Sequence, residues 1–199
     1  VTVNPKVTTV YTVKVTDQNG CTDTLNVGVT VNPLPKVVFT GTDTSGCMPL
    51  CVTLENKTTP KGGTLLWNFG DGTSSPADSV HCYNTPGTYS VKLIVKDNNG
   101  CVDSSKHTGM INVYALPVAD FKMDPQPTTI VNPAITFTDM STSPDSINSW
   151  AWSFGDPKDS YSTAQNPKFT YPVDTGTYTV QLIVTTIHGC KDTIDYPLV

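Results

Sequence analysis

Glutamate is nearly missing from this chain: Glu55 is the only one in 199 residues. A hydrolase site built on paired glutamates is therefore excluded. Charge of either sign is scarce, at 15% of residues, with a net charge of −5 and a pI near 4.9. No Lys/Arg stripe occurs, so a nucleic-acid partner is not expected, because phosphate binding needs clustered cations. Apolar runs never exceed a handful of residues, so no segment can span a bilayer and no membrane insertion is expected. No charged-then-apolar leader opens the sequence, and any export signal is expected to lie outside it. Gly-x-Ser-x-Gly, His-Glu-x-x-His and phosphate-loop motifs are all missing, so neither catalysis nor a cofactor is expected within these residues.

What is there points to strands. Eight Tyr, six Phe and three Trp stand in regular patterns rather than in polar tracts, which argues against disorder. The Thr- and Val-rich composition favours strands over helices. The length suits one compact domain or two of about 80 to 100 residues.

Internal self-similarity decides between them. Thr12 to Thr24, Ser90 to Ser104 and Thr179 to Thr193 each read as an alternating strand, a polar turn ending in Gly-Cys, and the start of another strand. Tyr89, Val91, Leu93 and Val95 share one face of such a strand; Tyr178, Val180, Leu182 and Val184 repeat it, as do Tyr11, Val13 and Val15. With turn residues such as Asn98-Asn99-Gly100 between two alternating runs, each is a predicted hairpin. Upstream of the last two hairpins, Trp67-Asn68-Phe69-Gly70-Asp71-Gly72 matches Trp152-Ser153-Phe154-Gly155-Asp156-Pro157. Cys51 to Asn56 likewise matches Ala134 to Asp139, and His81-Cys82-Tyr83 matches Phe169-Thr170-Tyr171. The linkers Asn32-Pro33-Leu34-Pro35 and Tyr114-Ala115-Leu116-Pro117 also correspond. Proline fixes φ and cannot donate to a ladder, which suits strand ends and stiff junctions. The expected division is residues 1–33 as a hairpin, 34–115 as one unit and 116–199 as a second copy. Thirty-three residues cannot bury a core alone, so the first segment reads as the tail of a further repeat, and the whole as a piece of a longer chain.

The residues Trp67-x-Phe-Gly-Asp-Gly, Tyr83 and Pro86-Gly87-Thr88-Tyr89, followed by an alternating strand, resemble the PKD domain, an immunoglobulin-like β-sandwich. The second copy resembles it through Trp152-x-Phe-Gly-Asp, Asn166-Pro167, Tyr171 and Thr175-Gly176-Thr177-Tyr178. It departs at Pro157, which replaces the last Gly of the turn, and in about four extra residues before Thr177. The resemblance implies an all-β chain of tandem Ig-like β-sandwiches with a partial β domain at the N-terminus. Trp67 and Phe69, two apart on a strand, are paired core residues, with Tyr89 closing the opposite side of the core. Gly70 and Gly72 permit the turn, and Asp71 reads as an acceptor of local N–H groups, with a catalytic or calcium role as the alternative. Asp156 and Asp159 read as a solvated turn. Trp150 is expected in the core and His81 in a packing role, which leaves Tyr161 as the one aromatic suited to stacking on sugars.

Six cysteines allow fifteen pairings. Val52 and Leu54 face the core as Ile135 and Phe137 do, so Cys51 points outward, and Cys82 does so by the same logic. In the sandwich implied by the resemblance their strands are neighbours, and the second copy lacks both cysteines, carrying Ala134 and Thr170 instead. Cys51 is therefore expected to pair with Cys82, and Cys47 with Cys101 as a clamp across the unit. Cys190 has no partner in its own copy, where Ile130 stands at the place of Cys47, and the partner of Cys21 is expected upstream. Such disulfides imply an oxidising, extracellular setting. Zinc is not expected, because no second close Cys/His pair completes Cys47 and Cys51.

The Gly-Cys-x-Asp-Thr/Ser ending resembles PKD repeats of large secreted surface proteins of Bacteroidota, including gliding-motility adhesins. The function implied is non-enzymatic: modules of an adhesin stalk or surface filament, secreted to the cell surface. Their expected partners are neighbouring repeats of the same chain, with a glycan or protein ligand bound elsewhere in it. The alternative is a set of accessory modules of a secreted polymer-degrading hydrolase. In that bacterial setting, Asp-Ser/Thr-aliphatic sequences mark Ser79 and Ser146 as O-glycosylation candidates. The sequon at Asn56-Lys57-Thr58 carries little weight there.

Overall fold

The computed structural model of the chain describes residues 2–77, 80–126, 133–172 and 176–198. Among them there is no helix, and seventeen strands account for the regular structure. In chain order these are β1 (Thr9–Thr16), β2 (Thr22–Val29), β3 (Phe39–Thr42), β4 (Ser45–Cys47), β5 (Leu50–Asn56) and β6 (Thr64–Asn68). Then come β7 (Ser74–Ser75), β8 (Val80–Tyr83), β9 (Gly87–Lys96), β10 (Val102–Tyr114), β11 (Phe121–Asp124) and β12 (Ala134–Asp139). The last five are β13 (Ile147–Ser153), β14 (Tyr161–Ser162), β15 (Lys168–Thr170), β16 (Tyr178–Thr186) and β17 (Lys191–Leu198).

The strands form tandem β-sandwiches with matching sheet orders. β3-β5-β8 is answered by β11-β12-β15, and β10-β9-β6-β7 by β17-β16-β13-β14. The register repeats as well: Cys51 faces Cys82 and Val52 faces His81, while Ala134 faces Thr170 and Ile135 faces Phe169. One element has no counterpart among the described residues of the other copy. β4 adds in parallel to the end of β10, with Ser45, Gly46 and Cys47 opposite Asn112, Val113 and Tyr114.

By backbone proximity the chain falls into two units, and each is described by itself. The first comprises residues 1–41, 54–79 and 90–108. There Trp67 pairs with Leu93 and Leu65 with Val95 across β6 and β9, and Phe39 meets the Trp67 ring edge-on at 5.0 Å. His107 lies against Phe39, with ring centroids 4.4 Å apart, so this histidine also packs. The β1–β2 hairpin differs. Val13 faces Leu25 and Tyr11 faces Val27, yet Val15 is 64% exposed, whereas Val95, likewise two residues before its turn, is buried. The same alternation builds a core in one hairpin and an uncovered apolar face in the other.

The second unit, residues 42–53, 80–89 and 109–199, holds the whole C-terminal core. Phe121, Ile135, Phe137, Trp152, Phe154, Tyr171, Val180, Leu182, Val184 and Leu198 form one buried cluster, with Trp150 and Phe169 against it. Phe121 meets Trp152 edge-on at 5.0 Å, repeating the Phe39–Trp67 pair. Tyr83 stacks on Tyr89 at 4.5 Å, and Tyr171 on Tyr178 at 4.6 Å. His81 contacts Tyr83 edge-on just as Phe169 contacts Tyr171, so the imidazole occupies a packing position.

Candidate functional site

The Trp-x-Phe-Gly-Asp turn is built for geometry. Trp67, Phe69, Trp152 and Phe154 are buried on the inward face of their strands. Gly70 has φ +86, and a Cβ there would stand 2.5 Å from the Ser90 carbonyl oxygen. Gly155 repeats this, at φ +67 and 2.3 Å from the Thr179 oxygen. Only glycine lets the neighbouring strand approach so closely. The Asp71 carboxylate accepts the Thr73 N–H at 2.9 Å and the Thr73 hydroxyl at 2.6 Å.

The second copy accommodates Pro157 by lengthening the turn. Phe154 N–H donates to Ser160 O, where Phe69 N–H donates to Thr73 O, and Asp159 takes the left-handed conformation at φ +52. The expected solvated turn is corrected for Asp156, which is 5% exposed. Burial disfavours its charge, but donation from Ser160 N–H (2.7 Å), Ser160 Oγ (3.0 Å) and Lys158 N–H outweighs this and holds the carboxyl below its ordinary value. Beside it, burial pushes the Tyr171 phenol up, the charge of Asp156 adds to this, and the hydroxyl donates to Phe154 O at 2.9 Å. The open cleft of about 360 Å³ next to these two residues is thus lined by groups already engaged in the fold. Among the described residues no three His, Cys, Asp or Glu side chains converge as metal ligands. Glu55 forms a surface ion pair with Lys57.

Asp139 follows the same logic as Asp156. Burial opposes its ionisation, yet Ser141 N–H, Gln165 Nε2 and Trp150 Nε1, the last at 2.7 Å, donate to it and hold its pKa below 3.8. Both folded-state carboxyls titrate below their unfolded values. Their contribution is therefore present above the unfolded pKa and lost as pH falls through the folded one. Thermal midpoints are expected to stay level down to about pH 5 and to drop below about pH 4, with a shallower drop in Asp139→Asn. An unchanged acid slope in that variant would reject this account.

The cysteines carry the one arrangement that goes beyond packing. Cys51 and Cys82 are bonded across β5 and β8, both on the outward face. Replacing them with the residues of the other copy, Cys51→Ala with Cys82→Thr, is expected to preserve the fold. The cost is about 3.7 kcal/mol of unfolding free energy, measured by urea titration, the chain-entropy value for a sequence separation of 31. The expected Cys47–Cys101 clamp is corrected: Cys47 is bonded to Cys190, with Cα atoms 5.5 Å apart, and Cys101 is a free thiol. Cys47 lies opposite Tyr114, the last residue of β10, whereas Cys101 precedes the first, and a strand of that length spans about 40 Å. Asn112 N–H donates to Thr44 O and Met48 N–H to Tyr114 O, both at 2.9 Å, which fixes Cys47 at the junction between the repeat copies. There Tyr114 stacks on His188 at 3.7 Å, two residues before Cys190. All of these groups belong to the second unit. The missed partner had a sequence signal: Cys47 has no counterpart in the second copy, where Ile130 stands, so Cys190 is left without a partner in its own copy. Looking for partners only inside each copy hid it.

Of the other candidates, Ser146 is exposed just before β13, and Ser79 lies outside the described residues. Trp150 is half-buried, and Tyr161, at 81%, is the only fully exposed aromatic among the described residues.

Among curated proteins, a microbial collagenase of Vibrio alginolyticus is 37% identical over 86 residues, which is 41% of this chain and 10% of the collagenase. Collagenase ColA of Bacillus cereus is 44% identical over 64 residues, 32% of this chain and 6% of its own length. The chain thus spans a tenth or less of these relatives. The solved PKD1 domain of Vibrio anguillarum Epp is 28% identical, covering 41% of this chain and 89% of that domain, with a TM-score of 0.36. That of the Vibrio cholerae metalloprotease PrtV is also 28% identical, covering 42% and 94%, again with a TM-score of 0.36. The PKD domain family matches this sequence twice, over residues 32–113 and 114–197. With two such matches spanning most of its length, the chain belongs to the PKD domain family.

Proposed function

We propose that these residues are a non-catalytic spacer in a larger secreted polypeptide, in which consecutive PKD copies are locked together covalently. The observation that carries this is the Cys47–Cys190 disulfide, which joins the first copy to the second. Such a bond gives a spacer under load resistance to separation of its copies. The modules are residues 34–115 and 116–199, and residues 1–33 are the closing hairpin of a preceding repeat, whose apolar face is left uncovered here. Two disulfides fit an extracellular compartment. No described helix is long and apolar enough to cross a membrane.

In this reading the parent is a cell-surface adhesin or filament of gliding-motility type, its ligand site lies elsewhere in the chain, and its nearest partners are its own repeats. A second reading is favoured by the collagenase matches: the copies are accessory modules of a secreted hydrolase that present or hold a polymer substrate. Isolation of the native polypeptide and mapping of peptides that flank Trp67 and Trp152 separates the two. A very large chain with many Gly-Cys-x-Asp-Thr/Ser peptides is the expected result. Companion peptides from a protease domain would overturn the stalk and establish the accessory role. The same digest tests O-glycosylation: Ser79 and Ser146 peptides are expected to carry added hexose-type mass, and only unmodified masses at both would reject it.

A further inference from the structure

Three cysteines of this chain sit on one turn. In each hairpin the residue four before the cysteine donates its N–H to the cysteine carbonyl at 2.9 Å: Asp17 to Cys21, Asp97 to Cys101, Thr186 to Cys190. In each, a side-chain oxygen of that same residue accepts the cysteine N–H. The preceding Gly20, Gly100 and Gly189 have φ of 86, 86 and 80. The three cysteines therefore share one backbone turn geometry. Cys190 is buried and bonded, Cys101 is half-buried and free, and Cys21 is exposed and free.

What Cys190 is bonded to tells what Cys101 lacks. Its partner Cys47 comes from the preceding copy, on β4, which pairs in parallel with the strand end Asn112–Tyr114 and places Cys47 opposite Tyr114. The linker residue equivalent to Tyr114 one copy earlier is Asn32. The Cys101 Sγ lies 3.9 Å from the Asn32 carbonyl oxygen. So Cys101 already stands beside the residue that, in the bonded copy, aligns the partner cysteine.

The geometry points to Cys101 as a disulfide site for a cysteine of a preceding β-sandwich copy, one carried on a short edge strand that pairs in parallel along residues 30–32. The rule is that the hairpin cysteine of each copy bonds the β4-type cysteine of the copy before it. By this rule Cys21 binds one copy further upstream. The reaction removes two protons and two electrons from two thiols as the S–S bond forms. A protein disulfide of the thiol–disulfide oxidoreductase class accepts them and is reduced to a dithiol. The inference rests on the array reading above, since it requires a preceding copy.

The test uses the native polypeptide, alkylated without reduction and digested with trypsin, which releases Asp97–Lys106 around Cys101. The expected result is loss of the free alkylated peptide, with Asp97–Lys106 recovered only as a disulfide-linked pair with a peptide of an N-terminal PKD copy. Complete alkylation of Cys101 in a chain that does contain such a copy overturns this inference and leaves the array reading standing. A link to the peptide Val15–Lys36, which contains Cys21, also overturns it. A native chain with no preceding copy overturns the array reading itself, and this inference with it. In the folded 199-residue chain, Cys21 and Cys101 are expected to alkylate without reduction while the other four cysteines do not. Refusal of Cys101 to react there would also sink the proposal.

Discussion

Full reduction of the chain is expected to lengthen it under load by about 500 Å. The Cys47–Cys190 bond closes a loop with a sequence separation of 143 residues, and each freed residue contributes at most about 3.5 Å. In the oxidised chain pulled from its ends, tension passes from Cys47 across the sulfurs to Cys190, so only residues 1–46 and 191–199 can extend. The cores of Trp67 and Trp152 can melt in the shielded loop without adding length. Cys47→Ser alone gives a smaller gain. Cys51–Cys82 still closes a separation of 31 residues, which removes about 110 Å from the release. Single-molecule force extension with and without reductant reads all three lengths. Equal contour lengths for oxidised and reduced chains would show that the bond does not carry the load. At zero force, loss of this bond also frees the unfolded ensemble, worth up to about 5 kcal/mol on the chain-entropy account.

The largest effect of a single core substitution is expected from Trp152→Ala, at about 3–5 kcal/mol of stability. The indole is 2% exposed, lies edge-on to Phe121 at 5.0 Å and tilts against Phe137 at 5.5 Å. Its Nε1–H donates to the Ala164 carbonyl at 2.9 Å, so truncation leaves both a cavity and an acceptor without its donor. Tyr161→Ala, on the exposed ring, is the control and is expected to change stability by less than about 0.5 kcal/mol. Urea unfolding followed by near-UV circular dichroism measures both. A Trp152→Ala loss no larger than that of the control would mean the indole is not the centre of this core.

The sequence by itself determined the fold class and the inward faces. Alternation at Tyr178, Val180, Leu182 and Val184 forces one side of the strand toward apolar cover, and a period of two leaves no other register that buries them. It also determined the glycine turns. The repeated Phe-Gly-Asp needs a residue without Cβ, and at Gly70 and Gly155 the neighbouring strand closes to a distance no other side chain permits. Self-similarity was enough to place Cys51 and Cys82 outward, because alternation sends them to the face opposite the core residues beside them, and the resemblance to PKD domains implied that their strands are neighbours.

Only the tertiary structure decided the rest. That Asp156 is buried depends on a turn lengthened around Pro157, and its proton affinity depends on the Ser160 groups that turn brings to it. That His107 packs on Phe39 depends on β10 running past β3's first residue, which no local pattern near His107 encodes. Above all, Cys47 meets Cys190 because β4 departs from its own sheet order and pairs in parallel at the far end of β10. Parallel pairing joins segments distant in sequence, and local alternation carries no information about which distant segments meet.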